Sequence, residues 1–189
     1  MPLRSHFIRH MRIDQYTLKS QEALQRMGGI AAEYANQELQ LEHLLLALLE
    51  DKEGLVANIL SKFGLNPQAL STELIKLVEQ LPKVKGAGNP YMSSALNKLL
   101  PQAELEAKQL KDEYVSVEHL LLAMLKVASS GLSKIFNQAG VSYDKLLAVL
   151  SQIRGSHRVT DQNPEDKYQS LKKFTQDLTA VAYAGKLDP

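Results

Sequence analysis

The stretch Glu42-His43-Leu44-Leu45-Leu46-Ala47 decides the fold, because the same six residues return at Glu118–Ala123. The difference between 118 and 42 sets an offset of 76 residues, and the matching continues on both sides. Leu24 pairs with Leu100, Ala31 with Ala107, Leu49 with Leu125, Ile59 with Ile135, Gly64 with Gly140 and Leu70 with Leu146. An offset this long exceeds the roughly 20–50 residues of a solenoid unit. It points instead to a duplicated half-domain, two copies of which share one core.

Each copy reads as four helices. In the first, Asp14 or Thr17 can cap a helix that places Ala23, Leu24, Met27, Ile30, Ala31 and Tyr34 on one face. Gly28-Gly29 lies inside it, at a cost of about 1 kcal/mol per glycine relative to alanine, so a kink or a close helix contact is expected there. The second helix, about Leu41 to Glu50, is apolar nearly all round and should be central. The third carries Leu55, Val56, Ile59, Leu60 and Phe63 and stops at Gly64. Asn66-Pro67 opens the fourth, an N-cap with proline in the first turn.

The second copy repeats this plan. Ser93 starts its first helix, Ser116 caps the second EHLLLA helix, Gly140 ends the third, and Ser142 caps a fourth running to about Ile153. Pro101 falls inside the first of these, which predicts a kink or a helix that begins near Pro101. The expected divisions are an N-terminal extension over 1–10, a helical domain over 11–154 with repeats 11–81 and 91–154 joined by 82–90, and a segment over 155–189. That last segment opens with a polar, turn-rich linker. Asn163-Pro164 then begins a further helix with Tyr168, Leu171, Phe174, Leu178 and Val181 on one stripe, a face that needs a partner. The stop at Pro189 reads as the end of a fragment.

Composition narrows the function. The 189 residues hold 22 basic and 21 acidic side chains, a net charge of +1, so no basic stripe marks a nucleic-acid binder. There is no cysteine, which removes disulfides, thiol nucleophiles and thiolate metal sites. No apolar run reaches the roughly 20 residues needed to span a bilayer, so no membrane partner is expected. Neither a GxxxxGK[ST] phosphate loop nor GxSxG nor HExxH occurs, so no catalytic residue is expected.

His43 and His119 sit at equivalent positions, each after a glutamate. One reading is a symmetric metal site in a helical metal-binding or enzymatic bundle. The other places both in the first turn of a helix, with Glu42 and Glu118 favouring the dipole and the histidines bonding locally. Successive helical positions point about 100° apart, so Glu42 and His43 would not converge on one ion. The second reading is favoured, and no metal is expected.

The all-α, pseudo-twofold duplicated four-helix repeat with EHLLLALL and EHLLLAML resembles the N-terminal domain of Clp-family AAA+ chaperones, the double Clp-N motif followed by a linker helix. The tail from Arg158 to Pro189, RVTDQNPEDKYQSLKKFTQDLTAVAYAGKLDP, is similar to the linker of the ClpB-type disaggregases. ClpC- and ClpA-type unfoldases share its helix-plus-GKLDP ending. The resemblance implies a domain that binds unfolded or aggregated polypeptides and passes them to an AAA+ ring. In the full-length protein it implies a homohexamer using ATP and Mg2+, cooperating with a DnaK-type chaperone in the cytoplasm. For the present chain it implies no cofactor and a monomer. The alternative is adaptor docking in an unfoldase that feeds a protease. The resemblance further implies substrate contact at Thr17, Leu100, Asp112, Tyr114 and Glu118. The residues also read without it: Thr17 as a helix cap, Glu118 as a dipole partner, Leu100 as core.

Overall fold

The computed structural model describes residues 12–84 and 89–165. Eight helices follow in order: α1 (Leu18–Glu33), α2 (Leu41–Glu50), α3 (Leu55–Lys62), α4 (Pro67–Glu79), α5 (Ser94–Gln109), α6 (Val117–Val127), α7 (Ser130–Gln138) and α8 (Tyr143–Arg154). A 3-10 turn over Ile13–Gln15 precedes α1. Two short strands, β1 (Glu38–Leu39) and β2 (Tyr91–Met92), complete the described elements. The expected helix starts hold. Thr17 rather than Asp14 caps α1, Asn66 caps α4, and Ser93 and Ser142 cap α5 and α8 through their hydroxyls.

The duplication reaches the backbone. Ala35 and Lys111, equivalent by the offset, both adopt the left-handed conformation, at φ 57° and 59°. Each closes a Schellman turn in which the next amide, Asn36 or Asp112, donates back to Ala31 or Ala107. Gly64 and Gly140 do the same after α3 and α7, at φ 77° and 66°. Leu65 and Val141 close those turns onto Leu60 and Phe136.

The core is continuous across the repeats. α2 and α6 lie at its centre and are buried almost along their lengths, as their all-round apolar sequences require. α1 packs on α2 as α5 packs on α6, while α3 crosses over to meet α6 and α8. The halves also exchange strand contacts. β1 pairs in parallel with β2, Leu39 opposite Met92, and Tyr16 forms a parallel bridge to Val115. Under the offset these are one contact seen twice: the segment before the first helix of each half pairs with the segment before the second helix of the other.

Two of the expected alternatives are overturned, a helix start at Pro101 and a close helix contact at Gly28-Gly29. α5 runs unbroken from Ser94 through Pro101, so it does not begin at the proline. Pro101 and Asn97, whose carbonyl loses its amide donor, are both exposed, and water can serve that carbonyl. Among the described residues Gly28-Gly29 makes no close helix contact. A Cβ at Gly28 would meet nothing within 4 Å, and one at Gly29 only the tip of the Arg26 side chain.

Candidate functional site

The first turn of α6 gathers the polar chemistry. Its N-cap amide, Ser116 N, donates to His119 Nδ1 at 2.9 Å. An accepting Nδ1 carries no proton, so the ring holds its proton on Nε2, which donates to Asp112 Oδ2 at 2.9 Å. Asp112 in turn accepts from Arg154 Nη2 at 2.7 Å and from the Val159 amide at 2.8 Å. Burial alone would raise the Asp112 carboxyl; the donors from His119, Arg154 and Val159 outweigh it and hold the group below its ordinary range.

Ser116, His119 and Asp112 are the residue types of a nucleophilic relay, and Ser116 Oγ lies 2.9 Å from His119 Nδ1. Ser116 and His119 are fully buried, however, and Nδ1 already serves a backbone amide. The arrangement caps a helix and offers no substrate access. His43 plays the same part in α2, accepting from Gln40 N at 3.0 Å and facing Asn36 Oδ1 at 3.1 Å. Burial pushes its pKa down to about 4. Among the described residues no group of three or more histidines, acids or cysteines is placed to hold a metal ion.

The segment after α8 lies against this network. Glu113 N donates to Val159 O at 2.9 Å, and Leu18 N to Gln162 O at 2.9 Å. Thr17 caps α1 and also donates its hydroxyl to Glu165 Oε1 at 2.7 Å. Glu165 is 2% exposed; burial, reinforced by Glu118, raises its pKa to about 7. Neither oxygen of Glu118 accepts a hydrogen bond among the described residues, and Arg154 Nη1 stands 3.7 Å from Oε1.

Three of the five residues implied as substrate contacts therefore meet in one buried chain running Thr17, Glu165, Glu118, Arg154, Asp112. Thr17, Glu118 and the Asp112 side chain are fully buried. Leu100, 8% exposed, belongs to the core, and Tyr114 is half-buried. Sequence reasoning missed Arg154 and Glu165, which lie far along the chain from their partners. It also missed Glu106, a buried carboxylate that accepts from Tyr143 Oη and Gln102 and pairs with Lys126 at 2.7 Å. The readable signal was the offset itself, which sets Asp112 against Asn36.

Beside Glu165 a cavity of about 160 Å³ opens between α1, α2 and α3. Ala23, Ala47, Leu48, Leu55 and Val56 form its floor; Lys19, Glu22, Arg26, Glu50 and Asp51 stand around it. Rim pairs hold these charges, Arg26 with Glu50 at 2.8 Å and Glu33 at 2.7 Å, Lys19 with Asp51 at 3.4 Å. The volume is below the roughly 300 Å³ at which small-molecule sites begin. It has room for one or two side chains.

The family model for the Clp repeat (R) N-terminal domain matches residues 15–139. The chaperone protein ClpB of Bacillus cereus is 40% identical over 183 residues, 95% of this chain and 21% of that protein. The chain thus spans about a fifth of the length of the curated relatives it matches. The crystal structure of the Hsp104 N-terminal domain from Candida albicans superposes with a TM-score of 0.69 at 21% identity, covering 80% of this chain and 99% of that one. A ClpV N-domain in complex with a VipB peptide superposes at 0.61 with 22% identity, covering 74% and 86%. Among the described residues no single helix is long and apolar enough to cross a membrane.

Proposed function

The chain belongs to the Clp N-terminal domain family, and from that premise we propose that it is the polypeptide-receiving domain of a ClpB-type chaperone. It takes hold of apolar segments exposed on unfolded or aggregated proteins. The rest of the protein, as an ATP- and Mg2+-dependent hexameric AAA+ ring, threads them in cooperation with a DnaK-type chaperone in the cytoplasm.

The observation that carries this reading is the cleft with an apolar floor and a paired, charged rim. Apolar side chains of many shapes gain from such a floor, while the rim binds nothing strongly. Weak, tolerant capture suits a step that must release its cargo. The similarity over 95% of the chain to a ClpB chaperone favours this over adaptor docking in an unfoldase. The peptide held by the ClpV N-domain supports a polypeptide ligand for the fold.

The test is a titration of a labelled, chemically unfolded protein and its native form, followed by fluorescence anisotropy. Binding of the unfolded form alone, in the micromolar range, is expected. Equal binding of both forms, or of neither, contradicts the reading.

A further inference from the structure

Each repeat is followed by a short segment that returns to the turn after its own first helix. After the first, Val84 N donates to Ala35 O, Lys83 forms an antiparallel bridge with Asn36, and Asn36 Nδ2 donates to Pro82 O. After the second, Glu113 N donates to Val159 O and Val159 N to Asp112. Lys83 and Val159 are equivalent by the offset. Val159 is fully buried, as a surface tether would not be.

The second segment then goes further than the first. It continues to Gln162 O, held by the Leu18 amide, and to Glu165, buried between Thr17 and the first turn of α6. Glu165 Oε2 and both Glu118 oxygens have no hydrogen-bond partner among the described residues. Two carboxylates at one helix start, three of whose buried oxygens lack a hydrogen-bond donor among the described residues and which have Arg154 Nη1 only at 3.7 Å from Glu118, do not both ionise cheaply; a proton on Glu165 relieves them.

We propose that residues 155–165 form a latch closed by a proton: protonated Glu165 keeps the segment on the seam between α1 and α6, and ionised Glu165 lets it lift. Lifting uncovers Thr17, Val117 and Glu118.

The groups that face Glu165 bear on its charge. α6 contributes Glu118, which disfavours ionisation. α8 contributes Arg154, committed to Asp112 at 2.7 Å and lying 3.7 Å from Glu118. α1 contributes Lys19, Glu22 and Arg26, and the end of α2 contributes Glu50 and Asp51, all around the cleft that Glu165 lines. The turn before α6 contributes Asp112, bonded to His119. The segment itself carries His157, whose Nδ1 lies 3.1 Å from Arg154 O, and Asp161, which accepts from the Asn163 amide. Glu165 titrates near pH 7 when docked, against an ordinary 4.5. The docked state therefore binds the proton more tightly. Docking is fully favoured below pH 4.5 and weakens as pH rises through 7.

Hydrogen exchange of the whole chain, with no substrate present, tests this. Protection of the Leu18, Glu113 and Val159 amides should fall about tenfold between roughly pH 6 and pH 8 beyond the change in intrinsic rate. Protection within α2 should stay constant. Glu165→Gln, neutral at every pH, should hold the pH 6 protection at pH 8, and His157→Gln should keep the wild-type fall. Wild-type protection that does not change with pH overturns the latch. So does a fall that persists in Glu165→Gln or vanishes in His157→Gln. If Glu165→Gln fails to fold, exchange within α2 reports it, and the wild-type midpoint, near pH 7 or not, decides.

Discussion

After α1 the turn ends on the amide of Asn36; after α5, 76 residues on, the matching turn ends on the carboxylate of Asp112. Both side chains face a histidine in the first turn of the next helix, at 3.1 Å and 2.9 Å. The neutral pair needs no cation; Asn36 Nδ2 donates to Pro82 O, and the segment after the first repeat closes on the turn through backbone bonds. A buried carboxylate needs a cation and further donors, and it finds Arg154 and the Val159 amide. The glutamates that follow diverge as well. Glu42 accepts from Ser129, the cap of α7, at 2.6 Å, while Glu118 faces Arg154 and the Glu165 carboxylate. One backbone is thus used twice, once as a seam of neutral bonds to residues 82–84 and once as a charged seam that holds residues 159–165.

Asp112→Ala should break the comparison most severely. It leaves Arg154 buried without its main partner and should cost about 3–5 kcal/mol. Asn36→Ala removes neutral hydrogen bonds and should cost about 1–3 kcal/mol. Urea unfolding of both variants measures the gap; equal costs would mean that the two seams are energetically alike.

The next effect is pH-dependent and belongs to the first half. His43 stays neutral when folded, down to about pH 4, whereas the unfolded chain takes up its proton near 6.5. The unfolded state therefore binds more protons between these values. Stability present above pH 6.5 is lost as pH falls toward 4, on the order of 3 kcal/mol at the limit. Unfolding midpoints measured from pH 7 to pH 4 should decline less in His43→Gln.

Smaller still, Thr17→Ala and Ser93→Ala each remove an N-cap worth about 1 kcal/mol. Thr17 also loses its bond to Glu165, so its variant should cost about 1 kcal/mol more than the Ser93 variant. Equal thermal shifts would show that Glu165 contributes nothing at that seam. Finally, Gly28→Ala should stabilise α1 by up to about 1 kcal/mol, since no neighbour obstructs a Cβ there. A loss in thermal unfolding would reveal a role for the glycine pair.

Most helix boundaries were legible because their signals are local. Thr17, Asn66-Pro67, Ser93 and Ser142 satisfy amides two or three residues away, and Gly64 and Gly140 supply a positive φ at the position that needs it. The repeat made the central helices legible as well. The exchanged strand contacts were not, because two-residue strands carry no alternation to read. Pro101 misled because propensity says nothing of which face meets water. Glu165 was not legible as a buried group. Its burial depends on Thr17, 148 positions away, and local pattern holds no trace of such a pairing.

The central claim is that the two seams differ in what they receive. Amide chemical-shift mapping of the whole chain against a chemically unfolded protein tests it directly. The account predicts shifts at Lys19, Ala23, Ala47, Leu48 and Val56 around the cleft and at Glu165 beside it. Their equivalents by the offset, Ala95, Leu99, Ala123, Met124 and Leu132, should stay unperturbed. Shifts shared equally by both sets, or absent from both at high substrate concentration, would contradict it.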